Sequence, residues 1–230
     1  MFMIRKSDDR GKAEFGWLHG RHSFSFGEYY DPDFMGFRTL RVINEDRVEP
    51  GQGFGTHPHR DMEIITYVIE GNLEHKDSMG NGSVIRAGDV QVMSAGSGVS
   101  HSEFNQSKQS LVHLLQIWIV PNQKGLNPGY QQKSFDFKGQ KNRLVLFVSS
   151  DGIDQSLKIH QDARVYAAHL EKGKQLEYKN QKRHTWIQMI KGVLSVEGNT
   201  LQAGDGLATD KNDLTLYANE PSEFLLFDLN

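Results

Sequence analysis

The chain has 230 residues, a formal net charge of −3 and no cysteine. Disulfides and thiolate chemistry are therefore excluded, and any metal must be bound by nitrogen and oxygen. No lysine- and arginine-rich face marks a nucleic-acid footprint, since the basic stretch 179–183 holds three cations and reads as a solvated turn.

Residues 1–10 carry Arg5, Lys6, Asp8, Asp9 and Arg10 and lack the apolar stretch of a signal peptide. No window approaches the ~18 apolar residues of a membrane span, so a soluble, cytoplasmic protein is expected. Runs rich in β-branched and aromatic residues then recur between turn signals, at 38–44, 63–70, 89–94, 111–120, 143–149, 164–170, 185–191, 214–217 and 223–228. Their spacing suits an all-β barrel or sandwich. A short helical turn is expected near 151–156, with Asp151 as its cap. The stretch 121–142 is rich in Gly, Asn, Gln and Lys, includes Asn127-Pro128-Gly129, and reads as a crossover or linker. The expected division is therefore an N-terminal domain 1–120, a linker 121–142 and a C-terminal domain 143–230.

The two halves are weakly self-similar. Tyr67-Val-Ile-Glu-Gly71-Asn-Leu is followed by Ala87-Gly88-Asp89, and Gln188-Met-Ile-Lys-Gly192-Val-Leu by Ala203-Gly204-Asp205. The second interval is five residues shorter, which predicts a shorter hairpin in an otherwise tandem β architecture.

Ten histidines are present, and their placement carries the chemistry. His57-Pro58-His59 follows the glycine-rich Gly51-Gln-Gly53-Phe-Gly55-Thr, and His101-Ser102-Glu103 follows Ala95-Gly96-Ser97-Gly98. On extended backbone, residues i and i+2 face the same side, so each triplet presents two donors in one direction. Imidazole and carboxylate suit Fe, Mn, Co, Ni, Cu or Zn. Taken alone, each pair is commonly a surface or turn feature. Together, on facing strands, they would make a site of three nitrogens and one oxygen, with room for water in open positions.

The stretches Gly51-x5-His57-x-His59-x3-Glu63 and Gly88-x12-His101-x3-Asn105 resemble the two cupin motifs. His22-Ser-Phe-Ser-Phe-Gly-Glu-Tyr-Tyr-Asp31, His57-Pro-His-Arg-Asp-Met-Glu63 and Ala95-Gly-Ser-Gly-Val-Ser-His-Ser-Glu103 resemble, more closely, signatures of the pirin family within the cupins. The resemblance spans nearly the whole chain. It implies two tandem cupin barrels of the double-stranded β-helix (jelly-roll) type, with one divalent transition metal on His57, His59, His101 and Glu103 in the N-terminal barrel. Two departures from the general cupin pattern, the extra residue between Glu63 and Gly71 and Ser94 at the usual proline, point to Glu103 as the carboxylate ligand. Glu63 then either orients a histidine or is a solvated strand-edge charge. The C-terminal half aligns Tyr178, Asn180, Tyr217 and Asn219 with the four ligand positions and is expected to be metal-free and structural.

Among the remaining histidines, His113 is expected in the core and His75 at an exposed hairpin. His19 and His22 lie in the N-terminal segment, and His184 takes the place of Glu63 in the second half without a partner ligand. Phe24, Phe26, Phe37 and Phe54 either wall a pocket or, for the most part, fill the core. The resemblance further implies a quercetin 2,3-dioxygenase-type reaction. A small planar flavonol would lose its 3-hydroxyl proton to Glu103, react with O2 across the heterocyclic ring and release carbon monoxide. The alternative it allows is a metal-binding regulatory protein whose surface engages a protein partner without physiological catalysis. A monomer is expected, with no nucleic acid or membrane bound directly.

Overall fold

The structure is a computed structural model that describes residues 1–180 and 183–230. It is built almost wholly of antiparallel strands, as expected for an all-β chain. Two predicted runs coincide with strands, Glu63–Glu70 and Asp89–Ser94. Others shift by a residue or a few, for example to Leu40–Val48, Val112–Ile119 and Ser222–Leu229. The expected helical turn is a 3-10 turn over Ile153–Gln155, and Asp151 accepts the Ile153 N–H at 3.1 Å.

The chain forms two compact units. The first comprises residues 11–135 and 157–161. Its larger sheet runs in the order Gly129–Ser134, Asp89–Ser94, Glu63–Glu70, Val112–Ile119, Leu40–Val48, Leu18–His22, Gly11–Glu14. A four-stranded sheet runs Gly53–His59, Val99–Asn105, Asn72–Asp77, Gly82–Arg86. Leu18, Val48, Val68, Val112 and Leu114 from the larger sheet pack with Leu73 and Ile85 from the smaller one. This apolar layer packs the two sheets of the unit against each other.

The second unit comprises residues 1–10, 136–156 and 162–230. It repeats the order: Phe2–Arg5, Gly206–Thr209, His184–Lys191, Ser222–Leu229, Ala163–Leu170, Leu144–Ser149 in the larger sheet, and Gln175–Lys179, Asp213–Ala218, Val193–Val196, Asn199–Gln202 in the smaller. The repeat glycines have matching conformations. Gly71 and Gly192 have φ of 82° and 80°, and a Cβ there would meet the carbonyl oxygens of Leu111 at 2.7 Å and Pro221 at 2.2 Å. The shorter hairpin turns through Glu197-Gly198, both at positive φ, a tight two-residue connection.

The units depart from the expected division, which also placed 157–161 in the C-terminal domain, and two of the departures have a strand behind them. Residues 1–10 belong to the second unit, because Phe2–Arg5 pairs with Gly206–Thr209 and Lys6 bonds Asp205 at 2.9 Å. The stretch 121–142 is not all linker, because Gly129–Ser134 pairs with Asp89–Ser94. In both cases the strand covers an open sheet edge, whose unpaired N–H and C=O groups need a partner. Gln181 and Lys182 of the basic stretch lie outside the described residues. Its Arg183 is no solvated charge, since its guanidinium bonds Asp228 and also Asp162 at 2.9 Å.

Candidate metal centre

Three neighbouring strands of the smaller sheet build the site. Val99–Asn105 lies between Gly53–His59 and Asn72–Asp77, with His101 opposite His57 on one side and opposite Asp77 on the other. A bulge between His101 and Glu103 shifts the register, so that Glu103 falls opposite Phe54. Gly53 is required beside it, because a Cβ there would lie 2.2 Å from the Glu103 carbonyl oxygen.

The rings of His57, His59 and His101 converge, with centroids 4.5–4.8 Å apart. One nitrogen from each lies within 4.8 Å of the others. His101 is 1% exposed, and its Nε2 has no hydrogen-bond partner among the described residues. Burial and then the neighbouring imidazoles push His101 down to about 3, and burial and then His57 push His59 down to about 4. Both rings are therefore neutral at neutral pH and carry a lone pair, the form a metal ligand needs.

Glu103 is buried beside His101. Its donors group with those of His101 and His75, again within 4.8 Å, rather than with His57 and His59. Burial pushes its carboxyl up to about 7. Gln116 Nε2 donates to both of its oxygens at 3.1 and 3.0 Å, and Thr66 Oγ1 donates to Gln116 Oε1 at 2.8 Å. Asp46, also buried, is raised to about 7 by burial and by the charges of Glu103 and Glu45. Three convergent imidazoles, one with an orphaned buried nitrogen, fit a divalent transition ion, with the Glu103 carboxyl beside His101.

Two expectations change here. His75 is not exposed: it is fully buried, its Nδ1 lies 3.4 Å from His101 Nδ1 and its Nε2 lies 3.2 Å from Asp77 Oδ2. Glu63 is not a solvated edge charge either. It is 2% exposed, accepts a hydrogen bond from Ser94 Oγ at 2.7 Å and lies 3.2 Å from His160 Nδ1. The histidine it touches is thus His160, outside the cluster, and Ser94 at the usual proline position is its partner. His113 is in the core as expected, bonded to Glu45 at 2.9 Å. His22 is buried against Asn44 at 2.7 Å, while His19 is exposed against Glu14.

Phe24 is core, and Phe54 packs on Trp17. Phe26 instead stacks edge-on against Trp118, which stacks edge-on against His59 with centroids 5.0 Å apart. A pocket of about 350 Å³ opens along Pro58, His59, Arg60, Ser78 and Gly98–Ser100. A pocket of about 370 Å³ in the second unit, lined by Lys138, Lys141, Lys191 and His169, holds none of the cluster residues.

In the second unit the register revises one expected alignment. Tyr178 pairs with Leu214 as His57 pairs with His101, and Val196 pairs with Leu216 as His75 pairs with Glu103. The counterparts of His101 and Glu103 are therefore Leu214 and Leu216, not Tyr217 and Asn219. The connection before Asp213–Ala218 is shorter than the one before Val99–Asn105, so counting from the glycine overshoots.

Comparison with known proteins agrees with this architecture. The pirin family model matches residues 4–119, and a quercetinase C-terminal cupin domain model matches residues 146–229. A protein named quercetin 2,3-dioxygenase from Escherichia coli (strain K12) is 50% identical over 100% of this chain and 99% of its own. The crystal structure of Escherichia coli YhhW superposes with a TM-score of 0.96 at 49% identity, covering 100% of this chain and 98% of that one. A structure of the same bacterial pirin in complex with nickel(II) gives a TM-score of 0.95 at 48% identity, covering 100% and 99%. Among the described residues, no helix is long and apolar enough to cross a membrane. With a family model across half its length and full-length relatives at such identity, the chain belongs to the pirin family of cupin-fold proteins.

Proposed function

We propose that this protein is a metal-dependent dioxygenase that opens the heterocyclic ring of a flavonol such as quercetin with O2, releasing carbon monoxide and the ring-opened depside. The observation that carries this reading is the convergence of three imidazoles, one with an orphaned buried nitrogen, beside a buried carboxyl. The name of the 50% identical relative supports the substrate class, and the nickel complex of YhhW supports a divalent ion.

His57, His59, His101 and Glu103 would hold the ion, which supplies Lewis acidity that favours the ionised flavonol. Glu103 takes the proton of the 3-hydroxyl at its carboxylate. Gln116 spans both carboxylate oxygens and keeps them aimed at that proton. The Trp118 and Phe26 rings, edge-on to each other, place apolar surface beside His59 against which a planar substrate can pack. The pocket along His59 and Arg60 is of a size that takes small ligands.

The test loads metal-free protein with single divalent metals, adds quercetin, and follows loss of its visible absorbance together with oxygen uptake. One O2 consumed per quercetin, slowed roughly 100-fold or more by Glu103→Gln and abolished by His101→Ala, is the expected result. Full metal occupancy without oxygen uptake on any flavonol contradicts it and favours a metal-shaped binding surface.

A further inference from the structure

His101 has two ring nitrogens in different surroundings. Nε2 has no hydrogen-bond partner among the described residues, and Nδ1 faces the Nδ1 of His75 at 3.4 Å. His75 in turn places Nε2 3.2 Å from Asp77 Oδ2. The side chains of His75 and Asp77 are both closed off from solvent. Asp77 is itself fixed. Its Oδ1 accepts the backbone N–H groups of Met79 and Asn81 at 2.9 and 3.0 Å, and its Oδ2 accepts Asn81 Nδ2 at 2.9 Å.

This chain of contacts has a direction. Burial opposes the Asp77 charge, but the Asn81 donors, His75 and the Met79 N–H outweigh it, and the carboxyl stays below the usual range. A carboxylate only accepts, so His75 Nε2 must donate. In a neutral ring, Nδ1 of His75 is then the acceptor. Two lone pairs facing each other make no hydrogen bond, so the hydrogen between the rings sits on His101 Nδ1. The lone pair of His101 is left on Nε2.

We propose that Asp77 and His75 are positioning residues that lock His101 in its Nδ1–H tautomer and so aim Nε2 as a ligand. The tautomer follows from the contacts alone. Its use for metal binding rests on the reading of the imidazole cluster given above. Ligating histidines commonly donate their second N–H to an anchoring group, and loss of such a group weakens metal binding about 10–100-fold.

Two measurements test this, both on the full chain. Long-range ¹H–¹⁵N correlation spectra of metal-free, histidine-labelled protein should show hydrogen on Nδ1 of His101 and on Nε2 of His75. Hydrogen on Nε2 of His101 would overturn the proposal. Nickel(II) titration should then show His75→Phe binding about 10–100-fold more weakly than wild type. His75→Gln, whose carbonyl oxygen can still accept from His101, should recover affinity to within about threefold. Asp77→Asn, which can donate back to His75 and reverse the relay, should also lose about tenfold or more. Wild-type affinity in His75→Phe, or no recovery in a folded His75→Gln variant, contradicts the relay. Should His75→Phe fail to fold, the spectra and the glutamine variant still decide. Wild-type protein that binds no nickel strikes the metal reading instead, while the tautomer spectrum continues to judge the relay.

Discussion

The two units share one strand order and fill it in opposite ways. In the second unit, the strands equivalent to those of the site turn Leu194, Val196, Leu214 and Leu216 inward, all fully buried in one apolar cluster. In the first unit the matching inward positions include His75, His101 and Glu103, buried to a similar degree. Burial of apolar side chains stabilises the second unit directly. In the first unit the same burial works against charge, lowering the imidazoles and raising the carboxyl. The lesson is that the β framework tolerates either filling. Among the described residues, the clusters of metal-ligating side chains lie in the unit whose sequence accepts that desolvation cost.

The comparison can be broken most severely at the cluster. His101→Ala should weaken nickel affinity by more than about 100-fold, beyond the loss expected for an outer partner, while the metal-free protein still folds. Calorimetric titration would show it. Glu103→Gln should lower flavonol turnover by roughly 100-fold or more, as expected for a lost proton acceptor. Stopped-flow absorbance with single-metal protein measures that loss.

Smaller effects should separate the units. Gly192→Ala places a side chain in left-handed backbone against the Pro221 carbonyl. It should cost at least about 2 kcal/mol, a fall in Tm of roughly 4–8 °C, with nickel affinity unchanged. Tyr178→Phe removes the 2.5 Å bond to Asp228, which keeps Arg183 as a partner. A loss of about 1 kcal/mol is expected, again without effect on the metal. A large change in nickel affinity from either variant would contradict the separation of roles. Thermal melts with and without nickel read both quantities.

Much of this was legible in residue spacing. The two i, i+2 pairs place their donors on one face because strand side chains alternate, and His57, His59 and His101 do converge. The strands at Glu63–Glu70 and Asp89–Ser94 were legible because buried strands are dense in β-branched residues. The edge strands Phe2–Arg5 and Gly129–Ser134 were not, because their pairing is set by distant partners rather than by local pattern. Its charged neighbours Glu74 and Lys76 make His75 read as exposed. Alternation through Leu73, His75 and Asp77 points the other way, and that period of two was the signal available. The partner of Glu63 could not be read at all, since His160 lies 97 positions along the chain.

The central claim is that the first unit holds one divalent metal ion on its imidazole cluster. Titration of nickel(II) into metal-free protein, with elemental analysis of the product, tests it most directly. One equivalent should bind to wild type, and none to a variant in which His57, His59 and His101 are all replaced by alanine. Failure of the wild type to take up metal, or equal uptake by the triple variant, would contradict the account.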